Sequence, residues 1–374
     1  MSLIIRDRKI TRREFAQRGS LVAAGSMLAP FSIHAGNPLP NERLAMYQEE
    51  SARGTVCRIC PNECTLKEGE VSDCHNRIVR KSKLYTMAYG NPCAVNVDPV
   101  EKKPLYHFLP GSSAFSIATA GCNFACLNCQ NWTISQTSPL KTKNYDLPPE
   151  DVVASAKANN CKSIAYTYSE PVTFYEYVYE TSKIAKQEGI RNIMVSNGYI
   201  NPAPLKELCR YIDGANIDLK SFSDATYLKL NGGKLQPVLD ALKIYRDEGV
   251  WLEITNLVIP GYNDTPDEIK LMCKWLFSNG FADTPIHFTR FQPLYKLEHL
   301  PPTPLAILNS AAGIAREAGL RYVYVGNVPG SGTDDTVCPS CRQNVVERTG
   351  FRVTVNKISG GKCGCGTVIP GRWS

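Results

Sequence analysis

The 374-residue chain lacks any run of eighteen or more apolar residues, so no segment of it spans a membrane as a mature element. It also lacks a basic stripe or an RNA-binding signature. Its formal charge of +7 is concentrated at the start. Six Lys/Arg and two acids fall within residues 1–20, which leaves +3 for everything else. Nucleic-acid binding is therefore not expected. Nor is the chain a short, evenly cysteine-rich secreted scaffold. Hydrophobic residues make up 43%, enough for a real core, and bulk disorder is excluded.

What it does have is cysteine, 15 in all. Eleven fall in three tight groups: Cys57/Cys60/Cys64/Cys74, Cys122/Cys126/Cys129 and Cys338/Cys341/Cys363/Cys365. Thiols at gaps of two or three residues suit metal ligation, because neighbouring sulfurs can wrap one ion or cluster. The scattered Cys93, Cys161, Cys209 and Cys273 read as small core hydrophobes.

Four regions follow. Residues 1–36 carry Thr11-Arg12-Arg13-Glu14-Phe15 and a weakly apolar stretch after it, the pattern of a twin-arginine export signal. The protein is then exported or held at the membrane, or cytoplasmic if the leader does not function. Residues 37–110 are turn-rich and hold the first cysteine group. Residues 111–330 alternate β-rich runs (113–119, 163–168, 191–196, 214–219, 251–258, 286–291, 321–325) with helical-period segments. Repeated strand–helix units predict an α/β fold with a parallel sheet. Six or seven units fall short of eight, so the expectation is a partial (β/α)6-type barrel with its chemistry at the C-terminal strand ends. Residues 331–374 form a separate cysteine-paired module.

Directly after the 113–119 run comes Gly121-Cys122-Asn123-Phe124-Ala125-Cys126-Leu127-Asn128-Cys129-Gln130-Asn131-Trp132. Three thiolates can bind three corners of a cubane and leave the fourth iron open, which marks a catalytic rather than a structural site. Zinc would want a fourth nearby ligand, and the loop offers neither His nor a further Cys. At other strand ends, Ser196 and Asn197 could reach ribose hydroxyls or simply form a turn at Gly198. Alternation puts Asn216, Asp218 and Lys220 on one face. If that face is interior, Lys220 suits a carboxylate and Asp218 an amine or hydroxyl, unless the two form a plain salt bridge. Glu253 joins the candidate cofactor-binding residues, whereas His287 reads as a core histidine. The first four cysteines can close a site around zinc or an auxiliary iron–sulfur cluster. Cys338-Pro339-Ser340-Cys341 and Cys363-Gly364-Cys365 resemble a zinc ribbon with a shortened second knuckle.

The three-cysteine loop resembles that of the radical S-adenosylmethionine superfamily. Over most of residues 55–374 the chain is similar to the radical enzyme of the AmmeMemoRadiSam system. The likeness rests on Asp98–Phe108, Gly121–Phe124, Cys129–Trp132, Tyr166-Thr167-Tyr168-Ser169-Glu170-Pro171 and Glu253–Leu257. Glycyl-radical-enzyme activases, such as the pyruvate formate-lyase activator, are similar at greater distance. The resemblance implies a [4Fe-4S] cluster, S-adenosylmethionine chelated at the open iron, and cleavage to methionine and a 5′-deoxyadenosyl radical that abstracts hydrogen from substrate. It implies a low-potential electron donor, a small-molecule or protein substrate, and as partners the Memo-like protein and its companion. Glu170 matches an acid that grips the methionyl ammonium, the alternative being a helix cap. Tyr168 and Ser169 stand where the family has glycines, and Gln292 where relatives carry a histidine. An activase is the alternative function. A plain iron–sulfur electron carrier would use four cysteines at its cluster.

Overall fold

The computed structural model describes residues 41–374 apart from 329 and 331, preceded by a two-strand ladder pairing Ile4–Ile5 with Arg8–Lys9. The twin-arginine pattern at 11–35 lies outside the described residues. No helix among the described residues is long and apolar enough to cross a membrane.

The centre is an eight-stranded open sheet whose spatial order equals its sequence order. Its strands are β1 Ala94–Pro99, β2 Ser113–Ala118, β3 Ser163–Tyr166, β4 Arg191–Ser196, β5 Gly214–Asp218, β6 Trp251–Val258, β7 Ile286–Arg290 and β8 Val323–Gly326. The seven strands from β2 onward are mutually parallel, and β1 runs antiparallel along the edge, with Ala114 opposite Asp98. The helices between them include α1 Pro149–Ala158, α2 Tyr175–Gln187, α3 Pro202–Cys209, α4 Leu235–Asp247, α5 Pro266–Ser278 and α6 Leu305–Glu317. Parallel crossovers are right-handed, so an unreversed strand order puts every helix on the same face. The sequence pattern agrees. Ala215, Ile217, Leu252, Ile254, Phe288 and Val325 join the helices in one apolar core. The alternate positions, among them Asn216, Asp218, Glu253, Thr255 and His287, take the other face, which becomes the interior of the curled sheet.

The N-terminal end of that interior is plugged. Val100, Leu105 and Phe108 pack against Ala114, Ala165 and Ile193. Gly214 leaves room for Phe108, since a Cβ there would meet its ring at 2.8 Å. The sequence boundary at residue 110 thus moves, because β1 at 94–99 belongs to the central sheet. Its polar alternation and terminal proline suit a half-buried edge strand, which pattern reading does not single out. The region ahead of β1 holds two small three-stranded antiparallel sheets. They are fastened to α2 by Arg77–Glu176 at 2.6 Å and by the Met46 amide on the same carboxylate at 2.8 Å.

The C-terminal module is a three-stranded sheet, β9 Thr336–Val337, β10 Asn344–Thr349 and β11 Arg352–Asn356. It docks directly onto the plug. Arg348 donates to the Tyr106 carbonyl at 2.7 Å, and His107 Nδ1 meets the Pro370 carbonyl at 2.7 Å.

Candidate functional site

The three-cysteine loop leaves the C-terminal end of β2. Gly121 begins it at φ +101, and a Cβ there would stand 2.4 Å from the Cys74 carbonyl oxygen. Glycine is thus required both by conformation and by the approach of the first cysteine segment. Phe124 fills the space over Gly233, where a Cβ would meet its ring at 2.3 Å. The amides of Ala125 and Leu127 donate to the carbonyls of Asn231 and Leu230 at 2.9 Å each.

Cys126 is buried and Cys122 and Cys129 are half-buried, and desolvation pushes each thiol up, Cys122 most strongly. Desolvated thiols of this kind give up their protons readily only to a cationic partner, as iron is. N–H groups already point at the sulfurs. Asn231 Nδ2 donates to Cys126 Sγ at 3.1 Å, and the Phe124 amide to Cys122 Sγ at 3.4 Å. Such contacts tune iron–sulfur centres. Asn231 Oδ1 is buried without a partner, so the side chain is placed for the sulfur. The donor set fits a cluster.

Beyond β3, Glu170 is 2% exposed. Its carboxylate accepts from Val172 N at 3.1 Å, Ser196 Oγ at 2.7 Å and Asn197 N at 2.8 Å. It therefore caps the short helical turn that follows and also clamps the end of β4. Burial pushes its carboxyl up to about 7, against those three hydrogen bonds and the nearby Lys220. The Ser196 hydroxyl is committed to Glu170. Asn197 joins Glu170 to the cluster loop, its Nδ2 lying 2.8 Å from Asn123 Oδ1 and 3.9 Å from Cys122 Sγ. At the end of β5, Lys220 Nζ meets Asp218 Oδ2 at 2.8 Å. Burial works against the charge on Lys220, but Asp218 and the neighbouring Cys126 outweigh it and hold the ammonium above its usual range. The structure thus brings Glu170, Ser196, Asn197, Asp218 and Lys220 to the cysteine loop.

It does not bring Glu253. That residue is third in β6, near the plugged end, and both oxygens are taken. Oε1 accepts from His107 N at 2.7 Å and Trp251 Nε1 at 3.1 Å; Oε2 accepts from Tyr106 N at 2.9 Å and pairs with His287 Nε2 at 2.7 Å. Burial opposes its charge, but His287, His107 and the Tyr106 amide hold the carboxyl below the ordinary carboxylate value. Glu253 ties the plug to the sheet. Asn216, on the same face, is likewise spent on the Pro104 carbonyl at 2.8 Å.

Sequence reasoning missed Asn231, which no local pattern ties to Cys126. It also missed the contacts of Tyr168. That residue adopts φ +66, and its hydroxyl hydrogen-bonds to Asp98. Asp98 also pairs with Lys102 at 2.8 Å and Lys103 at 2.6 Å.

In the C-terminal module, Cys338 and Cys365 sulfurs are 3.7 Å apart, and Cys341 and Cys363 sulfurs 3.6 Å. All four lie within 4.8 Å of one another, the one such set among the described residues. The Thr367 hydroxyl and amide hold the Cys365 thiol down to about 6. The shortened knuckle converges with the first.

A family profile described as the Radical SAM superfamily matches residues 116–276. An uncharacterized protein of Methanocaldococcus jannaschii is 44% identical over 84% of this chain and 93% of its own length. The pyruvate formate-lyase 1-activating enzyme of Escherichia coli K12 is 23% identical over 54% of this chain and 89% of its own. Among solved structures, a domain of pyruvate-formate lyase-activating enzyme from Bacteroides vulgatus aligns at TM-score 0.40 with 18% identity, over 44% of this chain and 99% of that domain. SuiB from Streptococcus suis, bound to its precursor peptide SuiA, aligns at TM-score 0.46 with 15% identity, over 61% of this chain and 51% of that one.

Proposed function

Because the chain belongs to the radical SAM superfamily and is a radical SAM enzyme, we propose that Cys122, Cys126 and Cys129 hold its [4Fe-4S] cluster and that the polar strand ends around them bind S-adenosylmethionine. The observation that carries this is the position of three thiols, one buried and two half-buried, at the C-terminal end of β2 beside Glu170 and Lys220. The cluster supplies, when bound, the electron that cleaves a C–S bond of S-adenosylmethionine to start radical chemistry on the substrate. Glu170 accepts the methionyl ammonium, its carboxylate already oriented by Ser196 Oγ and the Asn197 amide. Lys220 offers a cation for a carboxylate of cofactor or substrate, with Asp218 fixing the ammonium. Asn197 couples the two regions by touching both Glu170 and the cysteine loop. Cys338, Cys341, Cys363 and Cys365 hold zinc, a reading supported by their single-ion spacing.

The substrate is a small molecule or a protein, and a low-potential donor supplies the electron. Similarity to the Escherichia coli activating enzyme favours a second reading, in which the chain installs a glycyl radical on a partner protein. In the first reading it works with the Memo-like protein and companion of the AmmeMemoRadiSam system. The Arg12-Arg13 leader then addresses the folded enzyme for export. The test is anaerobic reconstitution with S-adenosylmethionine and reductant, followed by mass spectrometry. Wild type should yield methionine and 5′-deoxyadenosine. Replacing Cys122, Cys126 or Cys129 with Ala should abolish both products, and full turnover in any of the three variants would overturn the assignment.

A further inference from the structure

The three cysteine groups differ in spacing. A zinc–sulfur bond of about 2.3 Å sets the edge of a ligand tetrahedron at about 3.8 Å. The C-terminal four match that edge, with sulfurs 3.6 and 3.7 Å apart. Cys57, Cys60, Cys64 and Cys74 also gather. Cys60 lies within electrostatic reach of the other three, and Cys64 of Cys57 and Cys74. Yet no three of these sulfurs fall within 4.8 Å of one another. In this they match Cys122, Cys126 and Cys129, not the C-terminal set. A polynuclear iron–sulfur core places iron and sulfide between its thiolates, so its ligands stand farther apart than those around one ion. None of the four is disulfide-bonded.

The surroundings suit an anionic group. Arg77 is buried beside Cys57 and Cys74, and its Nη2 has no partner although Nη1 binds Glu176 at 2.6 Å. Four thiolates around a cluster leave net negative charge, which a buried guanidinium with a spare N–H offsets. The segment also touches the catalytic loop. The Cys74 carbonyl packs against Gly121, and Asn62 Nδ2 donates to the Asn123 carbonyl at 3.0 Å.

We propose that Cys57, Cys60, Cys64 and Cys74 hold a second iron–sulfur cluster, fully ligated by protein, beside the three-cysteine loop. With no open iron it exchanges electrons and does not chelate S-adenosylmethionine.

The full-length variant Cys122→Ala/Cys126→Ala/Cys129→Ala, reconstituted anaerobically with iron and sulfide, isolates the site. It should retain iron and sulfide in equal amounts, about two to four of each per chain. Its reduced paramagnetic signal should not move when S-adenosylmethionine is added. Retention of no iron, with about two zinc ions per chain instead of one, would overturn the proposal. The complementary Cys57→Ala/Cys60→Ala variant should lose this iron and keep the signal that S-adenosylmethionine shifts. Full iron content in that variant would also overturn it. Failure of the catalytic-loop reading is distinguishable, because it appears in the wild type as a spectrum wholly indifferent to S-adenosylmethionine.

Discussion

Replacing Glu253 with Gln separates two roles for a buried acid that sequence pattern places at the cofactor. The carboxylate receives four groups, two per oxygen. An amide keeps one oxygen, which can still serve His107 N and Trp251 Nε1. The other position becomes NH2. His287 can adapt by presenting a bare ring nitrogen, but the Tyr106 amide is then left facing a donor. Losing one charge-assisted bond and stranding one buried N–H costs about 3 kcal/mol. For a chain of this size that lowers the melting temperature by roughly 4 °C. Calorimetry of the reconstituted variant measures this directly. The shift of the cluster signal on adding S-adenosylmethionine, read at several cofactor concentrations, should give an unchanged dissociation constant. An unchanged melting temperature together with weakened cofactor binding would refute the reasoning and return Glu253 to the active site.

Glu170→Gln should, unlike Glu253→Gln, weaken S-adenosylmethionine binding, by about 1.5–3 kcal/mol, roughly ten- to a hundredfold, at unchanged iron content. An unaltered dissociation constant would leave Glu170 as a cap and clamp only. Acid should loosen the plug. Burial lowers His107 to about 4 from an ordinary value of 6.5, so the fold holds the neutral ring. Its contribution is full above pH 6.5 and is lost as pH falls toward 4, by about 3 kcal/mol. Glu253, also held low, adds to the loss in the same direction below its ordinary value. Melting temperature measured from pH 7.5 to 4 should fall less steeply in His107→Gln than in wild type, and parallel curves would contradict the assignment.

Some of this site could be read from sequence because its parts are contiguous. The cysteine loop directly follows a strand, and strand ends are where parallel folds gather chemistry, so Cys122, Asn197 and Lys220 are within reach of pattern alone, while Glu170 comes from the family resemblance. Alternation reveals which face a side chain takes but not how far along the strand it lies. Glu253 therefore read like Asp218, although one sits near the plugged end of the sheet and the other at its open rim. Asn231 is 105 residues from the sulfur it contacts, and only the fold joins them. Strand β1 escaped because an edge strand buries little and carries polar residues and a proline. The C-terminal module read as separate because nothing in Arg348 or Pro370 announces a partner more than 240 residues away.

Tyr168 has a consequence for how relatives of this chain can be found and how they can diverge. Its backbone sits at φ +66, a conformation that glycine adopts freely and that costs an ordinary residue about 1–2 kcal/mol. Here the side chain compensates, since its hydroxyl reaches Asp98 on the edge strand, 70 positions upstream. The turn is thus maintained by shape instead of residue identity. A search pattern that insists on glycine at this turn passes over the chain. A lineage that keeps the tyrosine should also keep the acid at 98. A substitution at 98 alone removes the anchor, whereas glycine at 168 leaves Asp98 still bound to Lys102 and Lys103, so an alignment of close relatives should show the phenol only where the acid is present, and the acid also where glycine stands at 168.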